Sequence, residues 1–327
     1  MNALTLTPME DRLLGGLYGL LIGDALGVPY EFNSPEKLPD LSALNFVPPA
    51  GFARTYPTVP PGTWSDDGAQ ALCLLESLLA HEGQLDLEDL GRRLYDWYAH
   101  GHLAVDRRVF DVGIQTAQSL QKMAQGQPAA QCGGTSDYSN GNGSLMRVLP
   151  LVLVHQGPVD LLIAQAHRQS QVTHAHPRAQ ACCALYCLWA WFELQQHPEP
   201  WPQAVQVLTG YYARMPEGAV YQDEVNQHLR PLDHEPLTRS HCGGSGYVVD
   251  SLRSARWACQ AEDYRAVMRR AIGLGHDTDT TACIAGGIAG LRCGLTQLPT
   301  ALVQGLRGQT EWLAPLQQQL LCYWRDQ

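Results

Sequence analysis

The sequence predicts an all-α fold, on three observations. Apolar residues recur at spacings of three and four along most of the 327 residues. No series of segments alternates apolar and polar residues as strands would. The stretch from Ala179 to Leu194 is apolar nearly all round, the pattern of a central helix packed on every side.

Taken in order, the elements begin with Leu13, Leu14, Leu17, Leu20 and Leu21, one helical face. No basic segment followed by an apolar core precedes them. No apolar run is read as approaching the ~18 residues a membrane span needs. The expectation is a cytoplasmic protein without a membrane partner. Residues 29–61 hold eight of the 21 prolines, so a long, stiff, non-helical excursion follows. Helical spacing resumes with Leu72, Leu75, Leu78 and Leu79, and again with Leu87, Leu90, Leu94 and Trp97. Residues 125–144, rich in Gly, Ser, Asn and Gln, read as a loop, and 196–204, with three prolines, as a surface connection. The total is roughly a dozen helices. No repeat or shift in composition marks a boundary, so one domain over 1–327 is expected, its motif-bearing core at about 12–295.

Composition limits the function classes. Hydrophobic residues make up 45% and charged residues 17%, the balance of a globular enzyme with a sizeable core. A net charge of -10 argues against a nucleic-acid partner, which calls for a basic face. It leaves room for an anionic small molecule, because metal ions and helix N-termini supply local positive potential. The ten cysteines include no CxxC pair, and Cys182, Cys183 and Cys187 fall in one apolar helix, so they read as buried thiols.

Two segments concentrate oxygen ligands at predicted helix starts. Gly62-Thr63-Trp64-Ser65-Asp66-Asp67-Gly68 precedes AQALCLLESLL, and Gly275-His276-Asp277-Thr278-Asp279-Thr280-Thr281 precedes ACIAGGIAGLRCG. One cap needs one Ser, Thr or Asp. Each start here has two carboxylates and a hydroxyl, and neighbouring carboxylates repel unless a cation neutralises them. Oxygen ligands without His or Cys suit hard cations such as Mg²⁺ or Mn²⁺. Ala282, Ala285, Gly286, Gly287, Ala289 and Gly290 leave the second helix without bulk, which permits close approach to a neighbour. The isolated HxH pairs, His100/His102 and His174/His176, lack a third soft ligand for a transition metal.

Six segments together resemble the ADP-ribosylglycohydrolase family: GLLIGDALGVPYEF (19–32), GTWSDDG (62–68), SNGNGSLMRVLPL (139–151), THAHP (173–177), GGSGYVVDSL (243–252) and GHDTDTTACIAGG (275–287). They stand in the family's order over nearly the whole chain. The resemblance implies an all-α fold with two Mg²⁺ ions, or Mn²⁺, at the base of an ADP-ribose cleft. The implied metal ligands are Ser65, Asp66, Asp67, Asp277, Asp279 and Thr280. The implied catalytic carboxylates are Glu31, Asp66, Asp67 and Asp279; Asp24 is read as structural. The implied substrate contacts are Ser139, Asn140, Gly141, Asn142, Gly143 and Ser144 for the diphosphate and proximal ribose, with His174, Gly246 and Tyr247. Two departures stand out. The family usually has Thr where this chain has Gly68, and Gly where it has His276.

The expected activity is metal-dependent hydrolysis at the distal ribose of an ADP-ribosylated protein or a small ADP-ribose conjugate. The alternatives are a hydrolase of another ribosyl or phosphate compound, a non-catalytic ADP-ribose binder, or a crystallin-like structural relative. The leaving group is not readable from these segments, which hold only the part common to all candidate substrates. The 29–61 excursion joins Glu31 to Ser65 and is expected to act as a lid over the distal ribose.

Overall fold

The computed structural model describes residues 6–229 and 237–326. Fourteen α-helices occur among them: α1 (Pro8–Gly27), α2 (Asp66–Ala80), α3 (Leu87–His100), α4 (Ile114–Ala124), α5 (Pro150–Leu153), α6 (Val159–Gln171), α7 (Pro177–Leu194), α8 (Pro200–Arg214), α9 (Gly218–Glu224), α10 (Val248–Ala258), α11 (Tyr264–Ile272), α12 (Thr278–Cys293), α13 (Thr300–Gly305) and α14 (Ala314–Arg325). No strand forms among the described residues. Two isolated bridges, Gly134 with His174 and Gly141 with Tyr247, are the only extended pairings there. The all-α expectation therefore stands, and α7 is the helix buried on nearly every side.

The central feature is the antiparallel seam of α1 and α12, and glycine makes it possible. Gly15, Gly19 and Gly23 fall four residues apart and so line one face of α1. A Cβ on any of them would collide with a backbone carbonyl of α12, at Gly290, Gly286 and Ala282 in turn; one on Gly27 would overlap the backbone of Asp279. The two helices thus touch backbone to backbone. This seats Asp24, near the end of α1, beside Asp279, at the start of α12. The small residues of α12 were expected to admit a close neighbour, and α1 is that neighbour.

Two sequence expectations need correction. Residues Pro8–Tyr30, α1 with the 3₁₀ turn after it, span 23 residues and contain an 18-residue window of mean hydropathy 1.3, long and apolar enough by composition to cross a membrane. The most apolar window is entirely buried within the protein, so protein packing accounts for its hydropathy. Polar punctuation by Asp11 and Asp24 hid this length from a count of uninterrupted apolar residues. The 196–204 segment is not wholly a connection, since α8 begins at Pro200. Proline at a first helical position forfeits no hydrogen bond.

The 29–61 excursion is non-helical except for short 3₁₀ turns at Val28–Tyr30 and Pro35–Lys37. It is held to the body at several points. Leu44, Phe46 and Val59 are buried. Arg265 donates to the carbonyl of Leu44, and Arg108 to Thr58.

Candidate active site

The sequence places a capping residue at the start of α2, and the fold adds a second cap from outside. Ser65 Oγ accepts from the Asp67 amide at 3.3 Å. Asp24 of α1 accepts from the amides of Ser65, at 2.9 and 3.0 Å, and Gly68, at 2.8 Å. A carboxylate at a helix N-terminus is stabilised by these otherwise unpaired donors and by the helix dipole. Asp24 is therefore the structural anchor of α2. Gly68 follows from the same contact: a Cβ there would lie 2.9 Å from Asp24 Oδ2 and 2.8 Å from Leu21. The departure from Thr leaves room for that carboxylate.

At the start of α12, Asp277 is the N-cap residue and accepts from Asn142 Nδ2 at 2.8 Å. Asp279 Oδ1 accepts from the Thr280 amide at 2.9 Å. Thr280 Oγ1 reaches across to Asp67 Oδ1 at 3.3 Å, so the two helix starts meet although Asp67 and Asp277 are 210 positions apart (277 − 67). Asp66 accepts from Gln70 Nε2 at 3.1 Å. One oxygen each of Asp24, Asp67 and Asp279 lie within 4.8 Å of one another, as do oxygens of Glu31, Asp111 and Asp279. Of the six expected ligands, Asp67, Asp279 and Thr280 are thus brought together, with Ser65 bonded to the Asp67 amide, Asp66 and Asp277 lining the adjoining cleft, and Glu31 beside Asp279. Its main-chain carbonyl accepts from the Thr55 hydroxyl.

The electrostatics of this cluster are severe. Burial, followed by the neighbouring carboxylates, pushes Asp66, Asp67 and Asp279 well above the usual carboxylate range, and Asp277 also moves up. Burial raises Asp24 to about 7 and Glu31 to about 11, Glu31 with further help from Asp111 and Asp277. Glu31 Oε2, Asp67 Oδ2 and Asp279 Oδ2 are buried without a hydrogen-bond partner. Such atoms cost free energy unless something binds them. Hard oxygen donors, crowded and partnerless, fit a divalent cation of the Mg²⁺ or Mn²⁺ kind.

The cluster floors one end of a cleft of about 750 Å³. The other end is formed by Gly141, Asn142 and Gly143 with His174 and Gly246. Asn142 ties the loop down: its amide donates to the Gly246 carbonyl at 3.1 Å, and its Nδ2 also donates to Ser251 at 2.9 Å. His174 is buried, which lowers its pKa to about 3 and keeps the ring neutral. Its Nδ1 lies 2.9 Å from Thr173 Oγ1, which already accepts from Arg147 at 2.8 Å. The threonine hydroxyl, with one proton and a second lone pair, pairs with either tautomer of the ring.

The remaining expected contacts lie further out. Ser139 and Asn140 are buried beside the loop; Asn140 donates to the Asp137 carbonyl and Ser139 Oγ sits 3.0 Å from Ser136 Oγ. Ser144 is fully buried below the cleft, bonded to Ser170 at 2.8 Å. Tyr247 is half-exposed at the bridge with Gly141.

Two residues at the cleft and beneath it escaped the sequence reading. Asp111 faces the cleft, accepts from Tyr56 at 2.8 Å and has a left-handed backbone, φ 58°. A lone Asp in VFDVG carries no periodic signal. Arg147 is fully buried, and desolvation brings it down to about 10. It donates to Gly143, Gln70, Gln169 and Thr173, so one guanidinium ties the polar loop to the partner of Asp66 and the support of His174. It lay inside a quoted segment, and the sequence could not show that its side chain turns inward. His276, the second departure, also has a left-handed backbone, φ 60°. A glycine would take that conformation without strain.

Comparison with known proteins agrees with this geometry. The family model described as ADP-ribosylglycohydrolase matches residues 5–327. The chain is 28% identical over 321 residues to "ADP-ribosylarginine hydrolase Tri1" of Serratia proteamaculans (strain 568), covering 95% of this chain and 79% of that one. It is 27% identical over 310 residues to "ADP-ribosyl-[dinitrogen reductase] glycohydrolase" of Rhodospirillum rubrum, covering 93% and 92%. A solved structure titled "ADP-ribosylglycohydrolase-related protein complex" superposes with a TM-score of 0.75 at 28% identity, covering 98% of this chain and 99% of that one.

Proposed function

This chain belongs to the ADP-ribosylglycohydrolase family, and from that premise we propose that it hydrolyses the bond at the anomeric carbon of the distal ribose in ADP-ribosylated substrates, with two divalent cations, Mg²⁺ or Mn²⁺. The observation that carries the reading is the meeting of two acidic helix starts at the floor of a cleft, with carboxylate oxygens left partnerless. Intact ligands of this kind favour turnover over the binding-only and structural alternatives.

Asp66, Asp67, Asp277 and Asp279, with Ser65 and Thr280, would hold the cations. When bound, they would neutralise the cluster, orient the ribose hydroxyls and lower the pKa of a bound water. The chain's own residues do the rest. No lysine or arginine lines the cleft among the described residues. The diphosphate would therefore be met by neutral groups: the backbone amides of Gly141 and Gly143 and the uncharged imidazole of His174. Glu31, which lines the cleft beside Asp279 and Asp111, would give a proton to the departing group. Asp111, oriented by Tyr56, stands on the same side. A carboxylate there suits a cationic leaving group, and the relatives named as ADP-ribosylarginine hydrolases support arginine.

The test is release of ADP-ribose from ADP-ribosyl-arginine, ADP-ribosyl-serine and O-acetyl-ADP-ribose, with Mg²⁺ or with EDTA. Release from the arginine conjugate, stopped by EDTA, is expected. Metal-independent release would remove the cations from the reading, and binding without release from all three would leave an ADP-ribose receptor.

A further inference from the structure

No lysine or arginine lines the cleft among the described residues, yet three arginines gather round another cavity. It opens at the end of α11, has a volume of about 410 Å³, and is lined by Arg239, Trp257, Ala266, Arg269, Arg270 and Gly273. Guanidinium groups stay charged at any working pH, so three around one cavity repel one another.

The ordinary reason for arginines in a last helical turn is to meet the carbonyls there. Here those carbonyls already have partners. The amides of Gly273, Leu274 and Gly275 donate to the carbonyls of Arg269, Ala271 and Ile272, at 3.0, 3.3 and 3.0 Å. Arg239 Nη2 donates to the Gly273 carbonyl at 3.1 Å. Arg269 and Arg270 donate to no carbonyl, and neither has a carboxylate within 4.0 Å among the described residues. Glu36 feels Arg239 from beyond ion-pair distance; its own amide and Ser34 are the main causes that hold its carboxyl low. What Arg270 does meet is an aromatic face: its Cζ lies 5.5 Å from the ring centroid of half-buried Trp257.

The cavity thus presents three planar forks that suit phosphate oxygens and one indole that suits a planar ring. Its volume falls within the roughly 300–1,000 Å³ of small-molecule sites. Inorganic phosphate would use neither the indole nor most of that space. We propose that this cavity is a second anion site that binds a nucleoside diphosphate, its phosphates on Arg239, Arg269 and Arg270 and its base on Trp257. The inference goes beyond the hydrolase reading and does not rest on it. Gly273, in the cavity wall, stands four residues before Asp277, so one short segment joins the new site to the carboxylate end of the cleft.

The experiment titrates ADP and pyrophosphate, by calorimetry in EDTA, into wild type, Arg269→Gln/Arg270→Gln, Arg269→Lys/Arg270→Lys and Trp257→Ala. None of these side chains lines the cleft, so ADP-ribose binding with Mg²⁺ serves as the control for the cleft and the fold. Relative to wild type, the glutamine pair is expected to lose one bound ADP per chain, or to hold it at least about tenfold more weakly. Equal ADP binding by wild type and the glutamine pair overturns the site. Full affinity in the lysine pair also overturns it, because a diffuse basic surface needs no fork. Trp257→Ala should bring ADP down to the affinity of pyrophosphate. Pyrophosphate held as tightly as ADP by wild type overturns the nucleotide. Loss of ADP-ribose by the glutamine pair at unchanged Tm would place the lost ADP in the cleft and overturn the second site. Arg270→Gln alone changes one exposed side chain and guards against misfolding; it too should weaken ADP, and unaltered binding counts against the site.

Discussion

The two ends of the cleft are built on opposite terms. At the carboxylate end, Glu31, Asp67 and Asp279 each keep a buried oxygen without a partner. At the polar-loop end, Arg147, Gln169, Thr173 and His174 are joined by hydrogen bonds, and Asn142 is held by Gly246, Ser251 and, across to the other end, Asp277, with Asn140 Oδ1 the exception. A buried polar group costs free energy when unpaired and little when paired. The loop end is therefore a finished framework. The carboxylate end is completed only by its ligand, and the tight α1/α12 seam holds it together meanwhile. Carboxyl groups within 4.8 Å stay there because the backbones leave them nowhere to relax.

The sharpest way to break this contrast is at Asp279. Asp279→Asn should cut turnover by roughly a thousandfold or more, the scale expected when a metal site or its transition-state electrostatics is lost. It should also weaken Mg²⁺ binding by calorimetry while leaving the metal-free protein at least as stable. Full activity in this variant would show the site to be elsewhere.

Next in size is the seam. Gly19→Leu must push α1 off the backbone of α12, and overpacking costs about 1–3 kcal/mol or more. The expected loss is cooperative, a clear fall in Tm, with activity lost along with it. A stable, active variant would mean that the seam does not hold the carboxylates.

At the loop end, Arg147→Met keeps bulk but strands its partners. The expected cost is about 3 kcal/mol, the scale for breaking a buried charged network. ADP-ribose affinity should fall while Mg²⁺ affinity is kept. Equal loss of both would merge the two ends into one unit.

The carboxylate end also predicts a pH dependence. Burial raises Asp24 from the ordinary 3.8 to about 7. A raised folded-state pKa means that the native protein binds more protons than the unfolded chain. Its contribution to stability is full below about pH 4 and is lost as pH rises to about 7. Without metal, Tm should fall across that window. Added Mg²⁺ should recover more at pH 8 than at pH 5, because it replaces the missing protons. A flat profile in EDTA would show that the cluster is not strained.

The smallest effect concerns the excursion. Buried Leu44, Phe46 and Val59 pin it, so any closure should be confined to its Glu31 end. Hydrogen exchange with and without ADP-ribose and Mg²⁺ should differ near residues 30–34 and little near 44–59. Uniform protection along 30–60 would restore a whole-segment lid, and no change would make it a rigid wrap.

Much of this was legible because it is local. Helical spacing reports a buried face directly, and a helix start bearing two carboxylates and a hydroxyl reports more than a cap. From these, the all-α class, α7, and the carboxylate pairs at the starts of α2 and α12 were determined by the sequence alone. Its six segments in order pointed to the family. What the sequence could not show were facts of direction and partner. The glycines of α1 do not name α12 as the helix they meet. Asp111 has no pattern around it and matters only because the chain folds it toward Glu31. Arg147 sits in an apolar run that makes it look incidental, yet its five donors converge on one network. Ser144 stands in the same polar loop as Asn142, and the turn of the backbone sends one beneath the cleft and the other to Asp277. Periodicity and caps depend on neighbours three or four positions away, and the chain states those itself. Which side chains converge across 200 positions depends on backbone packing, and only the tertiary structure decides that.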